Sequence, residues 1–176
     1  MSKLLFPKDQ ISIIKYFTAP VKIRPNDPDY DKPNRQQIYL RALRTISSIK
    51  IIEGTFLTHE VMMKKSDGSG YVQVTKTEEK GTDVNIASHL LHDAHKGCFE
   101  AAVVISNDSD LVEPIRIVTQ ELNLPVTVVS PFRKNSLQLK NTASSVKQIR
   151  EGVLNVSQFA EDLEDSVGKF TKPAVW

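Results

Sequence analysis

Two short, mostly apolar runs constrain the fold of this chain more than any other feature of its sequence. They occupy residues 101–105 and 126–129. Apolar runs of this length are typical of strands covered on both faces, as in a parallel sheet. Between them, residues 109–122 have the apolar spacing of a helix, with Pro114 near its first turn, where a missing N–H costs little. The order strand, helix, strand predicts an α/β fold.

The rest of the chain extends this alternation. β-branched and aromatic residues predict a strand at residues 11–17. By the same criteria, further elements are predicted as helices at 34–46, 83–96 and 135–143 and as strands at 49–57 and 146–149. The turn-rich residues 66–70 separate two extended segments, 61–64 and 71–77, which predicts a small β-hairpin insert. We expect residues 1–176 to form one domain.

Composition narrows the class of protein. Hydrophobic residues make up 40% and charged residues 25% of the chain, as in soluble globular domains and unlike collagen-like or disordered chains. Cys98 is the only cysteine, so neither an intramolecular disulfide nor a cysteine-based zinc cluster can form. No apolar run approaches the roughly 20 residues that span a bilayer. We therefore expect a cytoplasmic protein without a membrane anchor.

Three aspartates lie where α/β sheets bind ligands. Asp108 and Asp110 follow the predicted strand 101–105, and Asp83 lies in the first turn of a predicted helix, whose dipole helps to keep it ionised. Carboxylates that converge repel one another and raise one another's pKa unless a cation neutralises them. Mg²⁺ and Mn²⁺ prefer such hard oxygen ligands and can activate water for attack on a phosphodiester. For each aspartate alone, a helix cap or an Asx turn remains the alternative.

The sequence around these aspartates resembles the paired signatures of NYN domain proteins. Residues 79–87 read Glu-Lys-Gly-Thr-Asp-Val-Asn-Ile-Ala, and residues 102–111 read Ala-Val-Val-Ile-Ser-Asn-Asp-Ser-Asp-Leu. The two motifs occur in the order and separation of that family. The similarity also includes residues 13–21, 139–149 and 154–159. It therefore covers most of the chain.

The resemblance implies a PIN-like, three-layer α/β/α sandwich with a mostly parallel sheet and, for the family as a whole, metal-dependent cleavage of RNA. Asp83, Asp108 and Asp110 match the family's acidic positions, so catalysis and the binding of Mg²⁺ or Mn²⁺ are carried over to these three residues. Ser106 and Thr82 match motif positions that support the ligands by hydrogen bonding. Lys80 is a candidate contact to a substrate phosphate, with an ordinary surface lysine as the alternative.

The sequence departs from the family pattern at its start. Family members begin with a central strand that ends in an aspartate followed closely by an asparagine, and Met1 stands where that strand and its helix should already have passed. We therefore expect the first central strand and one acidic ligand to be missing, and the sequence to be an N-terminally shortened version of a longer protein. The sheet must then either close around the gap or take a strand from a partner chain. Because the partner could be a second copy, a homo-oligomer is one open alternative.

The leading functional hypothesis from the resemblance is a metal-dependent ribonuclease that acts on single-stranded RNA. A non-catalytic RNA-binding or regulatory module is an alternative that the missing strand favours. An enzyme that acts on a small molecule in the same cleft is another, because similarity of fold and site does not determine the substrate.

Overall fold

The computed structural model describes residues 1–23, 27–134 and 136–175, and it confirms a mixed α/β fold with parallel strands. The strands are β1 Ile14–Thr18, β2 Ile49–Glu53, β3 Thr55–Lys64, β4 Tyr71–Lys80, β5 Ala102–Ile105, β6 Val126–Ser130, β7 Ser145–Gln148, β8 Asp162–Asp165 and β9 Gly168–Thr171. The helices are α1 Ser2–Leu5, α2 Lys32–Arg44, α3 Thr82–His95, α4 Val112–Arg116, α5 Leu137–Thr142 and α6 Glu151–Asn155. A 3₁₀ turn, Ser109–Leu111, precedes α4, and a π-helical turn, Ile117–Glu121, follows it.

The parallel strands form two separate sheets. β1 pairs with β2, and β5, β6 and β7 form a second sheet with β6 in the middle. Within the described residues no backbone ladder joins the two sheets. The described parallel strands are therefore divided between two sheets, while the absence of a first central strand stays a prediction. Two antiparallel hairpins, β3–β4 and β8–β9, complete the strand pairing.

The main hydrophobic core lies against the three-stranded sheet. Its buried side chains come from α3, from the helical stretch around α4, from α5 and from the sheet itself: Leu90, Ala94, Val104, Leu111, Ile115, Val118, Val126, Val128 and Leu139. The predicted two-sided burial is found in β6, where both Val128 and Val129 are at most 1% exposed. This core holds α3 next to the carboxyl end of β5.

The prediction of two-sided burial was wrong for β5. Val104 is buried, but Val103 and Ile105, which point to the opposite face, are each 45% exposed. The helical layer packs on one side only of this strand, and within the described residues the edge of β5 that faces away from β6 carries no partner strand. An apolar run therefore indicated a strand correctly without indicating how completely it is covered.

Helix α3 connects the two parallel sheets. Its inner side chains belong to the main core, and its outer face contacts β1. Lys15 forms an ion pair with Asp93, and its Nζ lies 3.1 Å from Nδ1 of His89. The Phe17 ring packs against the same histidine, with 5.7 Å between ring centroids. Among the described residues, α3 thus packs against both sheets, although no backbone hydrogen bonds pair a strand of one sheet with a strand of the other.

Gly54 divides the strand that was predicted at residues 49–57. The chain leaves β2 at Glu53 and begins β3 at Thr55, and the Gly54 N–H donates to the carbonyl of Thr18 over 2.7 Å. The predicted hairpin is confirmed but is longer than expected. β3 begins directly after this glycine, and β4 continues to Lys80, the register partner of Thr55. The break arises because a third segment, residues 80–82, packs directly against Gly54.

The β8–β9 hairpin was not predicted, and a tertiary contact explains its position. The guanidinium of Arg41 on α2 makes two 2.7 Å hydrogen bonds to the carboxylate of Asp165 and lies 4.1 Å from the centre of the Phe170 ring. The hairpin therefore docks on α2. Asn135, the first residue of another predicted helix, lies outside the described residues, and α5 begins at Leu137 with Ser136 as its cap.

None of the helices in the described parts of the chain combines the length and the apolar character that a membrane crossing requires.

Candidate active site

Asp108 and Asp110 lie in a tight turn that follows β5. Oδ1 of Asp108 accepts a hydrogen bond from the Asp110 N–H at 3.0 Å, and the Asp108 N–H donates to Oγ of Ser106 at 3.1 Å. Asp108 therefore caps the 3₁₀ turn, as the Asx alternative predicted, while one of its oxygens remains outside this hydrogen bond. Ser106 thus orders the backbone of the turn, and its role in supporting a metal ligand stays a prediction.

Asn107 connects this turn to the loop after β6. Its Oδ1 accepts a hydrogen bond from the Ser136 N–H at 2.8 Å, and its Nδ2 donates to the carbonyl of Lys134 at 3.2 Å. These contacts restrain the backbone on both sides of Asp108. The position of Asp108 at the carboxyl end of β5 therefore depends on two neighbouring strands of the same sheet.

Asp83 occupies the first turn of α3, and the residues before it are held by a sharp turn. Gly81 is the N-cap of the helix with φ +93°, a left-handed conformation that glycine adopts without steric cost. The Thr82 hydroxyl donates a hydrogen bond to the carboxylate of Glu79. Thr82 therefore orients Glu79 rather than either of the aspartates that follow β5.

The carboxylates from the two motifs influence one another. The pKa of Asp83 is raised above its ordinary value of 3.8, first by partial desolvation, then by the negative charges of Asp108, Glu79 and Asp110. Burial and repulsion thus act against the expected effect of the helix dipole, which favours the ionised form. Residues 25 or more positions apart in sequence therefore contribute to one negative field at the N-terminus of α3.

Glu79 was not identified from the sequence as part of this group. It is the penultimate residue of β4, four positions before Asp83, and the turn at Gly81 brings its carboxylate close enough to affect the pKa of Asp83. Only its presence in the motif could have drawn attention to it. The structure thus adds a fourth carboxylate to the three that the sequence predicted.

Lys80 is paired within its own strand. Its Nζ lies 2.9 Å from a carboxylate oxygen of Glu78, which also contacts Lys76, and the two ammonium groups lower the pKa of Glu78 to about 2. The Lys80 side chain is 54% exposed, so it remains accessible at the base of the hairpin. Its contact to a substrate phosphate stays a prediction.

A divalent cation fits this site by the chemistry of the donors. Carboxylate oxygens are hard ligands, and a cation would relieve the repulsion that raises the pKa of Asp83. The described residues nevertheless contain no group of three or more His, Cys, Asp or Glu side chains arranged to hold a metal ion. The carboxylates share one electrostatic environment without forming a finished coordination shell.

The raised pKa of Asp83 leads to a test of stability against pH. Above the folded-state pKa the ionised group destabilises the fold, whereas below its ordinary value of 3.8 it is protonated in both states and has no such effect. Asp83→Asn should therefore raise the melting temperature slightly at neutral pH and low salt, with the gain disappearing as the pH falls towards 3.8. Thermal unfolding across this pH range measures the effect.

Glu100→Gln is the matched control for this test, because it removes one exposed carboxylate at the opposite end of β5. It should not reproduce the pH-dependent gain. A lower melting temperature for Asp83→Asn at neutral pH that recovers as the pH falls towards 3.8 would show instead that the Asp83 charge stabilises the fold.

Comparison with known proteins places the chain in a family. The family model described as NYN domain matches residues 12–149 of the sequence, which include β1 to β7 and all three aspartates. A Pseudomonas putida protein, named 6-hydroxy-3-succinoylpyridine 3-monooxygenase HspA, is 30% identical over 129 residues, which are 67% of this chain and 41% of that protein. The matched region thus spans less than half the length of this relative.

A solved structure of a Vibrio parahaemolyticus protein of unknown function is also similar. The match has a TM-score of 0.48 and 19% sequence identity, and it covers 79% of this chain and 69% of the other. The assignment rests on the family model, which matches more than half of the chain and includes both motifs. The chain therefore belongs to the NYN domain family and has its PIN-like, nuclease-type α/β fold.

Proposed function

We propose that this protein is a metal-dependent ribonuclease in which Asp83, Asp108 and Asp110 hold Mg²⁺ or Mn²⁺. The observation that carries the proposal is that the NYN family model covers all three aspartates, with Asp108 and Asp110 at the carboxyl end of a parallel strand. The raised pKa of Asp83 supports it, because partial burial first, and then the charges of Asp108, Glu79 and Asp110, disfavour its ionised form. A cation would relieve this repulsion. Glu79 supports the proposal as a fourth acidic side chain in the same field.

The bound cation would polarise a phosphoryl oxygen and favour formation of the attacking hydroxide. The residues of the chain have separate tasks. Ser106 fixes the turn that presents Asp108, Thr82 orients Glu79 at the N-terminus of α3, and Lys80 contacts the substrate phosphate. For this contact the exposed Lys80 ammonium would exchange its ion pair with Glu78 for the phosphate, a contact that positions a nucleic acid without reading its sequence.

The experiment that tests this function is cleavage of single-stranded RNA by the full chain. We expect products to accumulate in Mn²⁺ or Mg²⁺ and to disappear in EDTA, with double-stranded RNA cleaved more slowly. Retention of RNA in EDTA together with no cleavage in either metal would instead favour the non-catalytic binding module. Cleavage that is unchanged by EDTA would contradict the proposal.

The comparisons favour one second candidate, an enzyme that acts on a small aromatic molecule in the same cleft. The favouring observation is the 30% identity to a protein named as a monooxygenase of a hydroxypyridine compound. This candidate predicts that a hydroxypyridine carboxylate, and not RNA, raises the melting temperature of the chain. Comparing the two ligands at equal ionic strength separates the candidates.

Further contacts support one domain for residues 1–176, because Arg41 within the matched region binds Asp165 beyond it.

The exposed, unpaired Cys98 is compatible with the proposed cytoplasmic location. Within the described residues, one edge of β1 and one edge of β5 carry no partner strand, which is compatible with a homo-oligomer, and sedimentation of the purified chain would measure its mass.

A further inference from the structure

A cavity of about 470 Å³ lies beside α2, away from the carboxylates. One wall consists of Val21 and α2 side chains, and the other consists of residues 157–159. This volume is within the range of small-molecule sites in proteins. The second wall follows residue 149, where the match to the NYN family model ends. One wall of the cavity thus lies within the region matched by the family model, and the other lies beyond it.

Aromatic side chains line this cavity in a fixed arrangement. The rings of Tyr39 and Phe159 meet edge to face, with centroids 6.1 Å apart and planes at 79°, and Tyr16 packs on Tyr39 at 6.0 Å. Phe159 is half-buried, so part of its ring remains open to a ligand. Half-exposed aromatic rings of this kind serve as stacking surfaces for nucleobases.

Ser157, which lines the cavity, also carries an unsatisfied polar atom just inside the wall. Its Oγ is buried and has no hydrogen-bond partner within the described residues. Buried polar atoms are normally paired, so rotation of this hydroxyl towards the cavity would let a ligand with donors or acceptors pair it. The polar edge of a nucleobase supplies both, whereas a purely apolar ligand supplies neither.

The charges around the cavity favour an uncharged ring over a phosphate. Lys32 pairs with Asp27 at 2.9 Å, and Arg35 holds the carboxylate of Asp29 with both of its terminal nitrogens. These cations are already neutralised by neighbouring acids. A phosphate in the cavity would compete with carboxylates that are in place, while a neutral base would leave the ion pairs intact.

A second, separate cavity adjoins this one and borders the hairpin base. It has a volume of about 230 Å³, shares Val21 and Lys32 with the first, and is also lined by Phe56 and Thr77. Phe56 is the register partner of Glu79, whose charge acts on Asp83. The two cavities therefore follow one another along the surface from α2 towards the carboxylates.

We propose that the larger cavity, between α2 and residues 157–159, binds one unpaired nucleobase of the RNA that is cleaved at the aspartates. The proposal rests on the proposed function for the identity of the ligand. The base stacks on Phe159 and hydrogen-bonds to Ser157, and the strand continues through the smaller cavity to Asp83. Double-stranded RNA cannot insert a paired base in this way, so the cavity selects single strands.

Binding of RNA in EDTA tests this site independently of cleavage. The probes are a fluorescent oligoadenylate and a ribose-phosphate chain of the same length without bases. Wild-type protein should bind the base-bearing strand about 5-fold to 100-fold more tightly, since stacking of one base on an aromatic ring has an effect of this size. Phe159→Leu keeps an apolar side chain but removes the ring and should lose most of this preference.

Phe132→Leu is the matched control, because Phe132 is another aromatic residue, 62% exposed, outside the cavity. It should keep the full preference for the base-bearing strand. Phe159→Ala should repeat the loss seen with Phe159→Leu, while affinity for the chain without bases stays unchanged for every variant. A variant that merely misfolds would lose both affinities, so the ratio of the two isolates the stacking contact.

The dependence of binding on salt gives a second readout. Because the nearby cations are already paired, Phe159→Leu should leave the slope of log affinity against log salt unchanged, whereas loss of one phosphate contact would alter it by about 1. A changed slope, an equal affinity of wild-type protein for both probes, or an unchanged preference in Phe159→Leu would overturn the proposal. Binding of a hydroxypyridine carboxylate without any base preference would also overturn it, in favour of a small-molecule site.

Discussion

Asp108→Asn is expected to reduce metal-dependent RNA cleavage by about 100-fold or more. Substitution of residues that only support metal ligands typically costs about 10–100-fold in affinity or activity, so loss of a direct ligand should cost at least as much. Asparagine keeps an oxygen that can accept the hydrogen bond from the Asp110 N–H, and it is as good a cap as aspartate. The substitution therefore removes the charge while preserving the turn. Initial cleavage rates at saturating Mn²⁺ measure the effect.

Two further variants separate charge from structure in this experiment. Glu100→Gln, at the other end of β5, removes an equivalent charge and should cleave at the wild-type rate. Asp108→Ala removes both the charge and the cap, so it should be as inactive as Asp108→Asn and also less stable, by about 0.5–2 kcal/mol. Wild-type cleavage by Asp108→Asn would exclude Asp108 as a metal ligand.

Gly54→Ala is expected to destabilise the protein by about 1–3 kcal/mol, the usual cost of inserting a methyl group where none fits. A Cβ at this position would lie 2.8 Å from the Lys80 carbonyl oxygen and 3.0 Å from Oγ of Thr82. The closer neighbour is backbone, which cannot rotate away. Relief of the clash must therefore move the segment that leads into Asp83. Thermal unfolding should show a lower melting temperature, and cleavage should fall with it.

Gly152→Ala is the matched control for this clash. Gly152 lies in α6, and nothing comes within 4 Å of a Cβ placed there. Alanine is favoured over glycine inside a helix by about 0.5–1 kcal/mol, so this variant should be slightly more stable than the wild type, with unchanged cleavage. Equal stability and activity of Gly54→Ala and the wild type would show that the 80–82 segment yields easily.

The sequence predicted those strands whose pattern of apolar and polar side chains is determined by their immediate neighbours in the fold. The apolar runs indicated β5 and β6 because burial of a whole strand requires apolar residues at successive positions. The break at Gly54 could not be predicted, because it depends on the approach of residues 80–82 from another part of the chain. The β8–β9 hairpin was missed for the same reason, since the acidic residues around Asp165 resemble a solvated tail until Arg41 is placed beside them.

The site was predictable to a similar extent. The paired motifs identified Asp83, Asp108 and Asp110, and the structure brings their charges into one field. Sequence spacing could not show that Glu79 turns towards Asp83, because this depends on the left-handed conformation of Gly81. The cavity beside α2 could not be predicted from the sequence either, since its two walls are more than 100 residues apart in the chain.

The position of α3 between the two parallel sheets has a consequence for motion within the molecule. Asp83 on α3 and Asp108 after β5 are anchored to the same buried core, whereas β1 meets α3 through polar and aromatic contacts on its outer face. Regions with few buried apolar contacts open at lower free energy than a packed core. The contact between β1 and α3 should therefore open more readily than the core that fixes the spacing between the two aspartates.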